Sequence, residues 1–375
     1  MLSVAVGVGP DAYLDGDERR DMYAWIEDTQ RAFAVFHPGV RLRLQLFSDS
    51  QIVPQLQRRH ASGLGPDLVF VGEKTAFELE SRGLSRPLRL PARVLAELDS
   101  ASLQRLRRAD GSLSALPLLM QPELACFDRR RVPEPPASLE ALLAASADGV
   151  REAFLALRPG GSPNVAQRQR IRSWLAWMKA ADLQHRLHFL ADRQALEEQL
   201  LSGRMDWISC RGSQLSRLRR VLGSRLGVSV LPAGPGGPPT PVSSLRLLAL
   251  GRDSSPVQQR LAERLALFTV SPQVQSSFTI SSLSLLPVNR AVPVPVASSV
   301  VLASLLQAHQ QASRGAALGR LLQPGSVSAR AIRQELIAFL YGDTNLEPAS
   351  TRLIAQLTGA GRRFSAGPAS PSPRP

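Results

Sequence analysis

Leu2 to Val8 is a short apolar run, and beyond it Met22, Ile26, Phe33 and Phe36 recur at the spacing of one helix face, up to Pro38 and Gly39. That pattern predicts a strand and then a helix that the Pro-Gly pair stops. Val40, Leu42, Leu44 and Leu46 alternate with Arg41, Arg43 and Gln45, the period of a strand with one wetter face. A second helix is predicted over about Gln51 to Ala61, a buried strand over Leu68 to Val71, and a helix over Phe77 to Arg82 closed by Gly83. Strand and helix alternating in this way predict a parallel sheet with helices on its faces.

The rhythm changes at Gly111. Ser112 to Leu119 reads as extended, and Leu124 to Phe127 as a strand that ends in the turn from Val132 to Pro136. Ser138 caps a predicted helix through about Ala145, with Glu140 in its first turn. Helices are predicted over Arg168 to Ala181, Leu183 to Ala191 and Arg193 to Leu201. A strand from Met205 to Cys210, a helix from Ser213 to Leu222 and a strand from Val228 to Leu231 complete a second α/β unit. Pro232 to Pro241 is a Gly/Pro-rich loop, Leu245 to Leu250 a strand, and Ser255-Pro256 the N-cap and first residue of an amphipathic helix reaching Val270. Further helices are predicted over Ser298 to Ser313, Ala316 to Leu322 and Ser328 to Tyr341; the Ser-, Pro-, Gly- and Arg-rich tail from Gly361 reads as disordered. No repeat of fixed period is present.

Composition narrows the class. A chain of 375 residues suits two domains, each able to bury a core. No segment has the roughly 18 to 20 uninterrupted apolar residues of a membrane span; the nearest, Ala291 to Ala308, is interrupted by Pro293, Pro295, Ser298, Ser299 and Gln307. The net charge of +14 raises the question of a nucleic-acid partner, but nearly all of it is arginine, Lys74 and Lys179 being the only lysines. Abundant Ala, Pro, Gly and Arg is the mark of a GC-rich genome, and 5% aromatic residues are few for stacking on bases. The clusters Arg129, Arg130, Arg131 and Arg217, Arg219, Arg220 read as solvated faces, so no nucleic-acid partner is expected. Cys126 and Cys210 are too few for a four-ligand metal site. Lying in apolar runs, they are first expected as buried free thiols, with a disulfide open if their strands are neighbours.

Gly65-Pro66-Asp67 before the apolar Leu68 to Val71 resembles the first lobe of the maltose-binding-like solute-binding proteins of ABC importers. Other landmarks follow in order: Leu84 to Leu88, then Ala115-Leu116-Pro117 through Ala125-Cys126-Phe127-Asp128 with the Pro-Pro turn and the Ser138 helix. Gly203 to Ile208, Gly227 to Pro232, the Ser255-Pro256 helix and Leu286-Pro287-Val288-Asn289 complete the series. The resemblance spans residues 1 to about 358. It implies an α/β fold of two lobes, each a mainly parallel sheet flanked by helices, joined by hinge strands. Lobe one is expected from residues 1–119 plus 247–297 and lobe two from 120–246 plus 298–358, with 359–375 as a disordered tail. It also implies a protein that binds a small-molecule solute without catalysis, cofactor or metal, acts as a monomer, and delivers its cargo to membrane permease subunits. A periplasmic or envelope-anchored location follows from the resemblance alone, because Leu2 to Val8 reads as a strand and not as a leader.

Candidate ligand residues come from the same comparison. Asp11 and Tyr13 lie in the loop after the first strand, Asp11 as a hydroxyl acceptor or merely a turn cap. Glu73 and Lys74, past the third strand, are cleft groups or a surface ion pair. Gln121 falls where the family often has a carboxylate and offers both donor and acceptor, while Glu123 is set aside as pointing the other way. Trp174, Trp177 and Trp207 are stacking candidates, or core. Ser213 stands where the family often has an aromatic platform, which argues against a long oligosaccharide. Arg211, at a helix N-terminus, and Arg246 suit an anion, and Ser244 is a weaker candidate. The expected ligand is a small sugar, glycoside or polyol; the alternatives are a phosphorylated polyol or other organic anion, and, from a different class, a basic nucleic-acid-binding protein. None of His37, His60, His185, His188 and His309 falls in a hydrolase motif, and three tyrosines are too few for an iron carrier.

Overall fold

The computed structural model describes residues 1–8, 16–139, 141, 150–151, 165–183, 193–234, 239, 241, 243–313 and 327–365. Its first part runs β1 (Leu2–Val8), α1 (Gly16–Phe36), β2 (Leu42–Ser48), α2 (Asp49–Ala61), β3 (Leu68–Gly72), α3 (Glu73–Ser81), β4 (Ser85–Arg86), α4 (Ala92–Glu97) and α5 (Ser100–Leu106). Then come β5 (Leu116–Asp128), β6 (Val150–Arg151), α6 (Val165–Leu183), α7 (Arg193–Leu201), β7 (Trp207–Arg211), α8 (Gly212–Leu222) and β8 (Leu226–Ser229). The chain closes with β9 (Ser243–Gly251), α9 (Pro256–Thr269), α10 (Pro272–Ser282), β10 (Leu286–Pro287), α11 (Val300–Ser313), α12 (Val327–Tyr341) and α13 (Leu346–Ser365). Among the described residues no helix is long and apolar enough to cross a membrane.

Two lobes meet along one strand. β1 pairs in parallel with β2 and β3, and β9 runs antiparallel to β3, forming the sheet of the first lobe. β5 is buried at all 13 positions. Leu116 to Pro122 pairs with β9, whereas Glu123 to Asp128 pairs with β7 and β8, so one strand is shared by both sheets. β6 lies parallel to β7 on the far side. β9 thus runs against β3, and the second half of β5 runs against β7 and β8. The sequence pattern divides β5 between Leu119 and Leu124, but Met120, Gln121 and Pro122 carry the pairing with β9 straight through, and the register shift lies earlier, between Pro117 and Leu119.

Side-chain alternation on β5 and β7 separates two apolar cores. Leu124, Cys126, Ile208 and Cys210 belong to the main core, with Leu215 and Leu218 of α8 and Leu302 and Leu305 of α11. Ala125, Phe127 and Trp207 belong to a second core, with Ile171, Trp174, Leu175 and Met178 of α6, Phe339 of α12 and Leu353 of α13. Cys126 is opposite Ile208 and Cys210 opposite Leu124, which makes the cysteines diagonal neighbours on one face. They form a disulfide, with Cα atoms 5.8 Å apart, and both residues are fully buried. The first expectation of free thiols is therefore corrected: adjacency of the two strands brings the sulfurs together.

Local signals explain two of the helix ends. Ser255 caps α9 and Gln258 reaches back to the Ser255 amide, completing a capping box in front of Pro256. Gly83 takes φ +67° just past α3, a conformation costly for any other residue. α4, α5, α10 and α13 were not foreseen, and α13 continues through Ser365, beyond the Gly361 start of the expected tail. Gly359 and Gly361 depress helix propensity there, which hid the last turns. The helices expected over Leu183 to Ala191 and Ala316 to Leu322, and the body of the Ser138 helix, lie outside the described residues, although Ser138 Oγ does accept the Ala141 amide at 3.0 Å.

Candidate ligand site at the strand crossing

β3 ends at Gly72, and the next residue, Glu73, begins α3; Gly72 is opposite Arg246 on β9. On the other side of β9, Ser243 and Ser244 are opposite Pro122 and Gln121 of β5. The β9 start is thereby framed by the carboxyl end of a first-lobe strand and by the midpoint of the shared strand. One residue pair further along β5, Glu123 is opposite Arg211, the last residue of β7. The carboxyl ends of β3 and β7 thus converge where the sheets join, the position at which open α/β sheets offer loops and helix N-termini to a ligand.

The polar groups here are buried and tightly bonded. Glu73 is 6% exposed; its Oε2 accepts from the Arg105 guanidinium and, at 3.3 Å, from the Leu245 amide. Arg105, on α5, also donates to the Ser243 carbonyl. Burial pushes the Glu73 carboxyl above its usual range, against the downward pull of Arg105, the Leu245 amide and, more weakly, Arg211. Arg211 donates to Glu123 Oε1 at 3.0 Å, and its backbone amide donates to Gln214 of α8 at 3.0 Å. Ser244 Oγ donates to the Gln121 carbonyl at 3.1 Å. Arg246 donates to the Gly7 carbonyl at 2.5 Å and stacks 4.6 Å from the centre of the Phe70 ring.

Of the residues singled out from sequence, Glu73, Gln121, Arg211, Ser244 and Arg246 gather at this crossing, and Ser213, the second residue of α8, lies beside it. Lys74 does not join them; it is exposed, and the ion partner of Glu73 is Arg105. The structure puts Trp174 and Trp207 in the second core with Trp177, Trp207 being 1% exposed. Trp207 opens β7 while Arg211 closes it, about 13 Å further along at strand rise. Asp11 and Tyr13 lie outside the described residues. Glu123 had been set aside by alternation, yet positions 121 and 123 are two apart and share a side in a regular strand. Arg105 carried no local signal: it sits in the basic stretch Arg105-Leu106-Arg107-Arg108, and only the fold brings it to a carboxylate 32 residues away. Among the described residues no group of His, Cys, Asp and Glu could hold a metal ion.

The Arg129 to Arg131 and Arg217 to Arg220 clusters are partly committed within the molecule. Arg131 pairs with Asp206 at 2.7 Å, Arg217 with Glu197 at 3.2 Å, and Arg219 donates to the Leu283 carbonyl at 2.9 Å.

No family model matches the chain, and no curated protein matches it in sequence. Solved structures do share its fold. The GacH receptor of Streptomyces glaucescens, determined unliganded and with acarbose, superposes with a TM-score of 0.71 at 17% identity, covering 96% of this chain and 99% of that one. An extracellular solute-binding protein from Staphylococcus aureus in complex with maltose gives 0.63 at 15% identity, over 98% and 99%. An ABC transporter solute-binding protein from Thermotoga lettingae bound with α-D-tagatose gives 0.65 at 13% identity, over 96% and 99%. The two-lobed architecture is therefore that of the solute-binding proteins over nearly the whole length of the chain.

Proposed function

We propose that this chain is the substrate-binding component of an ABC transporter, which captures a small neutral sugar, glycoside or polyol between its lobes and catalyses no reaction. The observation that carries the reading is the buried polar cluster at the strand crossing, set in a fold whose solved examples hold acarbose, maltose and tagatose. Hydrogen-bonding groups on a rigid frame, reached by hinge movement, suit a hydroxylated solute. Lobe one then comprises 1–119 plus 247–297 and lobe two 120–246 plus 298–358. Its ligand would reach Glu73, Gln121, Arg211, Ser213, Ser244 and Arg246. Membrane permease subunits are the partners this role requires. A buried disulfide favours an oxidising compartment, which supports a periplasmic or envelope location.

An organic anion is the less favoured ligand. Arg211 is held by Glu123 and Arg246 by the Gly7 carbonyl and the Phe70 ring, so neither guanidinium stands ready for a phosphate. A melting screen decides between the classes, because a ligand bound only by the native state raises stability by RT ln(1 + [L]/Kd). We expect D-tagatose, maltose or acarbose to raise the melting temperature, with affinity unchanged by ionic strength. A shift with sugar phosphates alone, weakened by salt, would establish the anion reading. Heparin binding that falls steeply with salt, with no small molecule shifting the melt, would establish a nucleic-acid binder.

A further inference from the structure

Among the described residues, three buried polar atoms at the strand crossing have no hydrogen-bond partner: Glu73 Oε1, Arg105 Nε and Ser243 Oγ. They belong to one knot, since Arg105 donates to the other oxygen of Glu73 and to the Ser243 carbonyl. The side chains of Arg105 and Glu73 are 8% and 5% exposed, and Ser243 is 8% exposed. Native proteins rarely leave buried donors and acceptors unsatisfied, and three together mark a place where a partner belongs.

Charge and hydrogen bonding point to different answers about that partner. The charges are balanced in pairs, Glu73 with Arg105 and Glu123 with Arg211, so a charged ligand would have to displace one member of a buried pair. The hydrogen-bonding capacity is unbalanced. Glu73 Oε1 accepts, Arg105 Nε donates, and Ser243 Oγ does either. Two hydroxyl groups on neighbouring carbons match this set: one donates to Glu73 while the other accepts from Arg105, and Ser243 completes whichever bond remains.

We propose that Glu73, Arg105 and Ser243 form a subsite that reads a vicinal diol of a neutral ligand. This rests on the sugar-binding reading above and adds to it the residues that select for hydroxyls. The competing arrangement is internal: Arg105 Nε turning onto Glu73 Oε1 would satisfy both and leave only Ser243 Oγ for a ligand.

The test is calorimetric binding of D-tagatose, maltose and acarbose to the full chain and to Ser243→Ala and Arg105→Lys, with ligand-free melting measured in parallel. Ser243→Ala removes a hydroxyl that lacks a partner among the described residues, so its ligand-free melting temperature should not fall, while sugar affinity should drop about five- to tenfold. Arg105→Lys keeps the charge but loses Nε, and affinity should drop at least as far. If the wild-type chain binds a sugar and both variants bind it equally well, the subsite is wrong and the sugar reading stands. A Ser243→Ala chain that melts lower and loses affinity only in proportion would make the residue structural, and overturn the subsite likewise. If the wild-type chain binds none of the sugars, both readings fall.

Discussion

Gly212 stands against the carbonyl of Ser284, so closely that a Cβ at position 212 would lie 1.9 Å from that oxygen. Gly212 opens α8, which packs on β5, β7 and β8, and Ser284 follows α10, which packs with β10 and α9. Arg219 of α8 strengthens the contact by donating to the neighbouring Leu283 carbonyl. Gly212 does not adopt a positive φ, so alanine there is excluded by space and not by backbone conformation. With the lobe division proposed above, Gly212→Ala should hold the lobes apart: the radius of gyration from small-angle scattering should rise and ligand affinity should fall at least tenfold, with circular dichroism unchanged. An unaltered scattering profile would count against this contact setting how the lobes sit.

The disulfide should matter more for stability than its single bond suggests. Cys126 and Cys210 are 84 residues apart, and a loop of that size restricts the unfolded chain strongly. Replacing both cysteines by alanine should cost about 2 to 5 kcal/mol in denaturant unfolding. Both residues are fully buried, so a thiol reagent should label neither in the native state, even after brief exposure to a mild reductant.

Asp99 ties α5 to α11. It accepts the Ser102 amide at 2.7 Å and the Ser102 hydroxyl at 2.6 Å, and its other oxygen lies 3.3 Å from His309 Nε2. Burial raises the carboxyl pKa, but hydrogen bonds from His309 and Ser102 outweigh burial and bring it to about 2. Because the folded value is depressed, the group stabilises the native state above its unfolded pKa near 4, and that contribution disappears as pH falls towards 2. Allowing for partial exposure, about 1 to 2 kcal/mol is at stake. Asp99→Asn keeps the cap and removes the charge, so urea unfolding should show a deficit of that size at pH 7 that closes near pH 2. A deficit constant across that range would assign the effect to packing.

The fold was more legible than the site, for a physical reason. Periodicity reports which face of an element is buried, and Leu68 to Val71, Ser255-Pro256 and the alternating Leu42 to Leu46 gave their elements directly. Periodicity does not report which buried charges will meet. Arg105 joins Glu73 only through the packing of α5 against β5 beside α3, and Ser243 enters the same knot by way of β9. The tryptophans, open between stacking and core in the sequence, lie in the second core. Stacking capacity is a property of the residue, whereas the placement of Trp207 at the start of β7, away from the crossing, is a property of strand direction.

Arg211 discriminates most sharply between a structural ion pair and a ligand-binding cation. Glu123, its partner across β5 and β7, is 1% exposed, and breaking a buried pair by deleting one member leaves a charge in a poorly solvating place. Arg211→Ala should therefore destabilise the ligand-free chain by about 3 kcal/mol or more. Adding Glu123→Gln to it should recover a large part of the loss, because the stranded charge is then gone. Whatever affinity for a neutral sugar the double variant retains should be insensitive to salt up to ~0.5 M, where Coulomb attraction is screened within a few ångströms. An Arg211→Ala chain that melts like wild type, yet loses a salt-sensitive ligand, would show that the guanidinium serves an anion and not Glu123.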